Sequence, residues 1–373
     1  MKKIILKIVV VLLKIIYMPI KLFKKQNKVV YISRESNKET LDFKLIRQKM
    51  EEIYPNVKNV VLTKKIELGL INKIKYAIHM ISQMYHISTA KIVILDTYCI
   101  VASALKHKKG TKIIQIWHAL AAIKKFGYQT IGTEAGSDKI TAEVMCMHKN
   151  YNYVLAPSKA TAKYFKEAFN VKEEQIKYMG MPRIDYILKQ DDEINNKIYN
   201  RYPELKEKIN VLYVPTFRKG EQIELNELVE NIDTNKYNLI IKMHPLDVNA
   251  GNYKQKDGVI YEKEFGTYDL LKISNKVITD YSSLAVEATL LDLPIYFYTY
   301  DIEKYKETPG LNIEFEKEEI GKYQTSNVNE LLEKIEEEYD LKVLEEFKNN
   351  YISINKKDCT EQLVKFIMED CNE

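Results

Sequence analysis

From residue 27 onward, short apolar runs alternate with longer stretches whose apolar positions recur at helical spacing. VVYISRE (29–35), NVVLT (59–63), KIVILD (91–96), KIIQIW (112–117) and YVLAPS (153–158) read as strands, and IKYMGMPRID as a short strand running into a Gly-Pro turn. Between them lie a long amphipathic stretch over about 69–88 and the helical segments CIVASALKHKK and KATAKYFKEAF. The polar stretch 189–209 interrupts this rhythm. It resumes with NVLYVPTFR (210–218), YNLIIKMHP (237–245), GVIYEKE (258–264), KVITDYSS (276–283) and PIYFY (294–298). Strands alternating with helices predict parallel sheets. The pattern therefore predicts an α/β chain of two doubly wound, Rossmann-like domains, over 27–188 and 210–330, with a linker over 189–209 and charged helices over 331–373. The length of 373 residues also exceeds one usual hydrophobic core.

The first 26 residues follow a different pattern. In MKKIILKIVVVLLKIIYMPIKLFKK, Lys7, Lys14 and Lys21 recur every seven residues, with Lys3 beside them, so a helix gathers them on one stripe and covers the rest with Ile, Val and Leu. The uncharged runs are too short to span a bilayer. An interfacial helix with its lysines toward anionic headgroups fits better. There is no small-residue cleavage site of the kind a signal peptide needs. Pro19 is expected to kink or end the helix.

Composition narrows the chemistry. The chain is 46% hydrophobic and 29% charged, with a net charge of +5. That mild excess suits an anionic substrate or membrane surface and is too weak to suggest nucleic acid. There is no P-loop and no GxGxxG. Cys99, Cys146, Cys359 and Cys371 form no CxxC pair and read as reduced thiols, with no disulfide frame or zinc site. No Asp-x-Asp pair closes a strand, so neither a catalytic metal nor a cofactor is implied.

Polar residues instead collect at the carboxyl ends of strands, where open α/β sheets bind ligands. His118 follows IIQIW, Ser158 follows YVLAP, and Arg183 and Asp185 follow YMGMP. Thr216 and Arg218 follow VLYVP, His244 and Pro245 follow LIIKM, and Thr279, Asp280, Ser282 and Ser283 follow KVI. Lys242 shares a face with His244 only if the strand stays regular to its end. Each mark has an ordinary reading: a loop histidine, an arginine stem covering surface, an aspartate or serine capping a helix. Their shared position favours a common use. Facing domains would bring these edges into one cleft suited to a diphosphate and to phosphoryl or glycosyl transfer.

The ordered segments QIWHALAAIKKFGY, APSKATAKYF, MGMPRID, VLYVPTFR, IKMHP and ITDYSSLAVEATLLDLPIYFY resemble the CDP-glycerol glycerophosphotransferase family of teichoic-acid synthesis over about residues 90–300, and the basic N-terminus is similar too. The resemblance implies a GT-B fold, peripheral attachment to the cytoplasmic face of the plasma membrane, and transfer of an alditol phosphate from CDP-glycerol or CDP-ribitol to a lipid-linked polyol-phosphate or glycan acceptor, with release of CMP. It leaves the oligomeric state open. It implies His118 as an acceptor-side catalytic residue and His244 as a donor-side one. Arg218, Thr216, Thr279, Asp280, Ser282, Ser283 and Pro245 would serve the donor's phosphates and nucleotide; Glu287 stands where many members have another residue and is similar to the ribose-holding carboxylate of ordinary GT-B glycosyltransferases, which makes it a further nucleotide-binding candidate. Arg183, Asp185 and Ser158 would contact acceptor or phosphate. The chain carries Ala119-Leu120-Ala121 where the family often has Gly-Thr-Pro. A GT-B glycosyltransferase or hexose-phosphate transferase using a nucleotide sugar would share much of this site and is the alternative.

Overall fold

The structure is a computed structural model that describes residues 2–218, 223–244 and 253–369. The chain forms two compact units. The first takes Met1–Leu120, Lys125–Asp185 and Ile354–Glu373, and the second takes Ala121–Lys124 and Tyr186–Ser353.

The first unit is built on a six-stranded parallel sheet: β1 (Lys28–Ser33), β2 (Lys58–Thr63), β3 (Ile92–Leu95), β4 (Lys112–Gln115), β5 (Tyr153–Ala156) and β6 (Ile176–Tyr178), in the order β2-β1-β3-β4-β5-β6. The strands are runs of Val and Ile because helices cover the sheet; every residue of β1 and β3 is buried. Helix Leu41–Ile53 packs Phe43, Ile46 and Met50 on one face. The same cluster includes Leu363, Val364 and Ile367 of the last helix, Cys359–Glu369. The C-terminal helices expected as one block over 331–373 therefore divide: Val328–Glu336 and Leu341–Tyr351 stay with the second unit, and the last returns to the first.

The second unit has its own six-stranded parallel sheet: β7 (Ile209–Tyr213), β8 (Tyr237–Ile241), β9 (Val259–Tyr261), β10 (Lys276–Thr279), β11 (Ile295–Tyr298) and β12 (Gln324–Thr325), in the order β12-β11-β10-β7-β8-β9. Counted within the unit, that is the order 3-2-1-4-5-6 of dinucleotide-binding sheets, and it reverses between β7 and β10. Residues 189–209, expected as a linker, hold the helix Asp192–Arg201 and a short turn of 3-10 helix within this unit.

The N-terminal helix Lys2–Ile20 ends one residue after Pro19. It buries Val10 and Tyr17, while Ile4, Ile8, Leu12 and Ile15 stand exposed. Helix Leu70–Ser88, which contacts it, exposes Ile71, Ile74 and Ile78. Among the described residues no helix is long and apolar enough to cross a membrane.

Asp185 secures the returning helix. Its carboxylate accepts hydrogen bonds from the backbone N–H groups of Cys359 (2.9 Å) and Thr360 (2.7 Å) and from the Thr360 hydroxyl (2.5 Å). Losing these contacts is expected to cost about 1–3 kcal/mol. Asp185→Ala should thus lower the urea midpoint of unfolding and expose residues 359–369 to limited proteolysis. An unchanged midpoint and cleavage pattern would refute this role.

Candidate functional site

In the second unit the loops after β7, β8, β9 and β10 surround a cavity of about 600 Å³. It is lined by residues 214–217, 242–244 and 264–267, by Ser282, and by Lys124. It opens at the carboxyl edge of the sheet beside the reversal between β7 and β10, where such sheets receive ligands. Three expected site residues meet here: Thr216, His244 and Ser282. Lys242 joins them because β8 ends at Ile241, which frees residues 242–244 from the alternation of a strand. The His244 ring lies 5.3 Å from that of Phe217. The loop after β9 is shaped by buried Glu262, which accepts hydrogen bonds from the N–H groups of Glu264 and Phe265.

Behind the cavity lies a charge cluster. Asp280 follows β10 and is completely buried. It accepts from the Thr216 N–H (2.9 Å) and hydroxyl (2.6 Å), from the Tyr281 N–H (2.6 Å), and from the Arg218 guanidinium. Arg218 also donates two 3.0 Å bonds to Asp301 and lies over the rings of Tyr281, Tyr300 and Tyr305. Burial works against the guanidinium's charge, but Asp280 and Asp301 outweigh it and hold its pKa above the ordinary value. Arg218 and Asp280, expected at the donor's phosphates, are thus spent on each other.

Other expected donor residues are also occupied. Thr279 is buried and donates to the Val214 carbonyl at 2.8 Å. Glu287 is buried in the five-residue helix Leu284–Ala288 and does not line the cavity. Ser283 precedes that helix without a side-chain capping bond, whereas the Ser282 hydroxyl accepts from the Leu284 N–H at 3.3 Å. Pro245 lies outside the described residues.

In the first unit, His118 follows β4. Trp117 turns the chain with a φ of 60°, a left-handed conformation uncommon for a bulky residue, and stacks on Phe126 at 4.5 Å. His118 Nδ1 lies 2.9 Å from the backbone carbonyl of Asp96. A carbonyl only accepts, so the proton resides on Nδ1 and Nε2 keeps its lone pair. Burial lowers the pKa of the imidazole, against the opposing charges of Glu35 and Asp42.

Arg183 holds the same loop from behind. It pairs with buried Asp42 and donates to the His118 carbonyl at 2.7 Å. Expected as an acceptor or phosphate contact, Arg183 here pairs with Asp42 and holds the loop that carries His118. Asp185 holds the last helix, as described above. Ser158 is buried and accepts from the Thr161 N–H at 3.1 Å, capping the helix Lys159–Phe169. Neither is free for a ligand.

Asp42, Asp96 and Asp301 carry no local signal, because their partners are remote in the chain. Asp96 is buried with one carboxylate oxygen unpartnered, and burial lifts its pKa to about 7. Lys124 was visible only as part of the segment IKKFGY.

The comparisons agree with this architecture. The chain is 30% identical over 356 residues to the teichoic acid ribitol-phosphate primase of Bacillus spizizenii, covering 92% of this chain and 91% of that protein. It is 31% identical over 267 residues to the teichoic acid glycerol-phosphate primase of Bacillus subtilis, covering 70% and 66%. A solved structure of the wall teichoic acid polymerase TagF shares its fold, with a TM-score of 0.68 at 19% identity over 100% of this chain and 97% of that one. The family model for CDP-glycerol:poly(glycerophosphate) glycerophosphotransferase matches residues 15–369, and the chain belongs to that family.

Proposed function

We propose that this protein transfers glycerol phosphate or ribitol phosphate from a CDP-alditol to a lipid-linked teichoic-acid-type acceptor and releases CMP. The observation that carries the reading is the cavity at the sheet reversal of the second unit, lined by hydroxyls, His244 and lysines. Such a lining suits a diphosphate. Relatives bearing glycerol-phosphate and ribitol-phosphate names support the same donor class.

In the reaction, the acceptor hydroxyl oxygen attacks the β-phosphorus of the CDP-alditol. A new P–O bond forms, the bond to the bridging oxygen breaks, and CMP leaves with that electron pair. His118 takes the hydroxyl proton on Nε2, the nitrogen its hydrogen bond to Asp96 leaves unprotonated. Thr216, Ser282 and His244 hold the phosphates in the cavity.

Attachment to the cytoplasmic face of an anionic membrane is part of the same reading, because the acceptor is lipid-linked. Two helices of the first unit support it. Ile4, Ile8, Leu12 and Ile15 form one apolar stripe on Lys2–Ile20, and Ile71, Ile74 and Ile78 form another on Leu70–Ser88.

The direct test supplies CDP-glycerol and CDP-ribitol separately, each with a lipid-linked acceptor, and measures CMP. One donor should turn over, and His118→Ala should reduce kcat by about 10²–10⁴-fold. If a folded protein turns over neither donor, while a nucleotide sugar releases a nucleoside diphosphate, the reading falls. The base must be unprotonated, so activity rises with pH through the His118 pKa. Because that pKa is lowered, the acid limb of kcat/KM should lie below about pH 6.5, the ordinary histidine value. A limb above neutrality would rule His118 out as the group observed. For the membrane, the protein should sediment with vesicles containing phosphatidylglycerol. The double variants Ile8→Glu/Leu12→Glu and Ile71→Glu/Ile74→Glu should each stay in the supernatant. Sedimentation of both at the unaltered level would refute the two-helix surface.

A further inference from the structure

A diphosphate brings concentrated negative charge into the cavity, and a cation must meet it there. Arg218, the obvious candidate from sequence, is neutralised by Asp280 and Asp301 and does not line the cavity. Among the described residues the wall carries two lysines, Lys124 and Lys242, against one carboxylate, Glu264. Among the described residues, the Lys124 ammonium makes no hydrogen bond and no ion pair.

Lys124 is delivered to the wall by an unusual route. Residues Ala121–Lys124 belong to the second unit although the chain on either side of them belongs to the first. Their backbone is fixed there: the Ile123 carbonyl accepts from the Asn312 N–H at 2.8 Å, and Lys124 pairs with Leu311 in an antiparallel bridge. The Lys124 carbonyl accepts from the Asn312 side chain at 3.2 Å. Ala121, Ala122 and Ile123 are buried, so the strap is anchored by apolar contacts while the next side chain enters the cavity. Burial lowers the Lys124 pKa, the Asp280 charge raises it, and the Arg218 charge lowers it further. An ammonium lacking an ion partner in such surroundings gains most from an arriving anion.

We propose that Lys124 is a phosphate-binding residue of the donor site, supplying the charge that Arg218, locked to its aspartates, does not. This rests on the reading that the cavity takes the donor's diphosphate. In that role Lys124 neutralises the phosphate that departs as CMP.

The test is calorimetric titration of the full-length protein with CMP and, separately, with cytidine, which lacks the phosphate. Lys124→Met keeps the length of the side chain and removes the charge. It should weaken CMP binding by about tenfold or more, equivalent to about 1.4 kcal/mol, and leave cytidine binding and the thermal midpoint unchanged. Lys124→Arg, which keeps the charge, should bind CMP closer to the unaltered protein than to Lys124→Met. His244→Ala, in the same wall, reports on the cavity itself. Weaker CMP binding in His244→Ala with none in Lys124→Met overturns the role of Lys124 and leaves the donor cavity standing. Undiminished binding in both overturns the cavity reading, and Lys124 with it. Equal losses for CMP and cytidine in Lys124→Met also overturn the proposal, because they report damage unrelated to phosphate.

Discussion

Asp280 is a carboxylate held entirely out of water at the end of β10, and the geometry of the second unit's site follows from how its charge is met. An isolated buried charge is prohibitive, and removing one partner of a buried pair costs about 3–5 kcal/mol. Asp280 is satisfied by Thr216 and Arg218 from the loop after β7 and by the N–H of Tyr281. Its ligands therefore lie on both sides of the reversal in the sheet, and the two loops cannot separate without exposing the charge. That constraint fixes Thr216 in the cavity wall. It also directs the Arg218 guanidinium toward Asp280 and Asp301.

The first unit uses a related device. Arg183 is buried against Asp42, from a helix distant in the chain, and its Nη1 donates to the His118 carbonyl. The ion pair fixes the backbone at His118, and the Asp96 carbonyl fixes the tautomer of its ring. In both units an arginine placed after a strand organises a loop from behind. This division has a physical basis: a planar guanidinium pairs with carboxylates in fixed geometry, whereas a lysine presents a mobile point charge.

The strands were legible because both sheets are parallel and covered, which makes their strands near-continuous runs of Val, Ile and Leu. Ten of the runs quoted as full strands, and the short one at 176–178, appear as β1 to β11; only the two-residue β12 gave no signal. The position of the second unit's cavity was legible too, since polar residues at strand ends mark the ligand edge of such a sheet. What each polar residue does there was not. Arg183 and Asp42 are 141 positions apart, and Asp185 meets Thr360 across 175. Pairings of that range leave no local pattern, so a residue that binds a neighbour looks the same in sequence as one that binds a ligand. The return of helix Cys359–Glu369 was hidden for the same reason: its amphipathic spacing shows that it packs, not where.

The segment Ala119-Leu120-Ala121 runs along the chain from His118 toward Lys124. Glycine and proline shape a loop by backbone conformation alone. Here the loop is shaped by burial: Ala119, Leu120, Ala121, Ala122 and Ile123 are all buried in succession. Five buried side chains in a row leave little freedom for slippage, because moving the segment by one residue would drive Lys124 into an apolar site or leave Ile123 in the cavity. The register is pinned again by the two hydrogen bonds of the Ile123 and Lys124 carbonyls to Asn312. Apolar burial thus sets the register of the segment that carries the Lys124 side chain into the cavity wall.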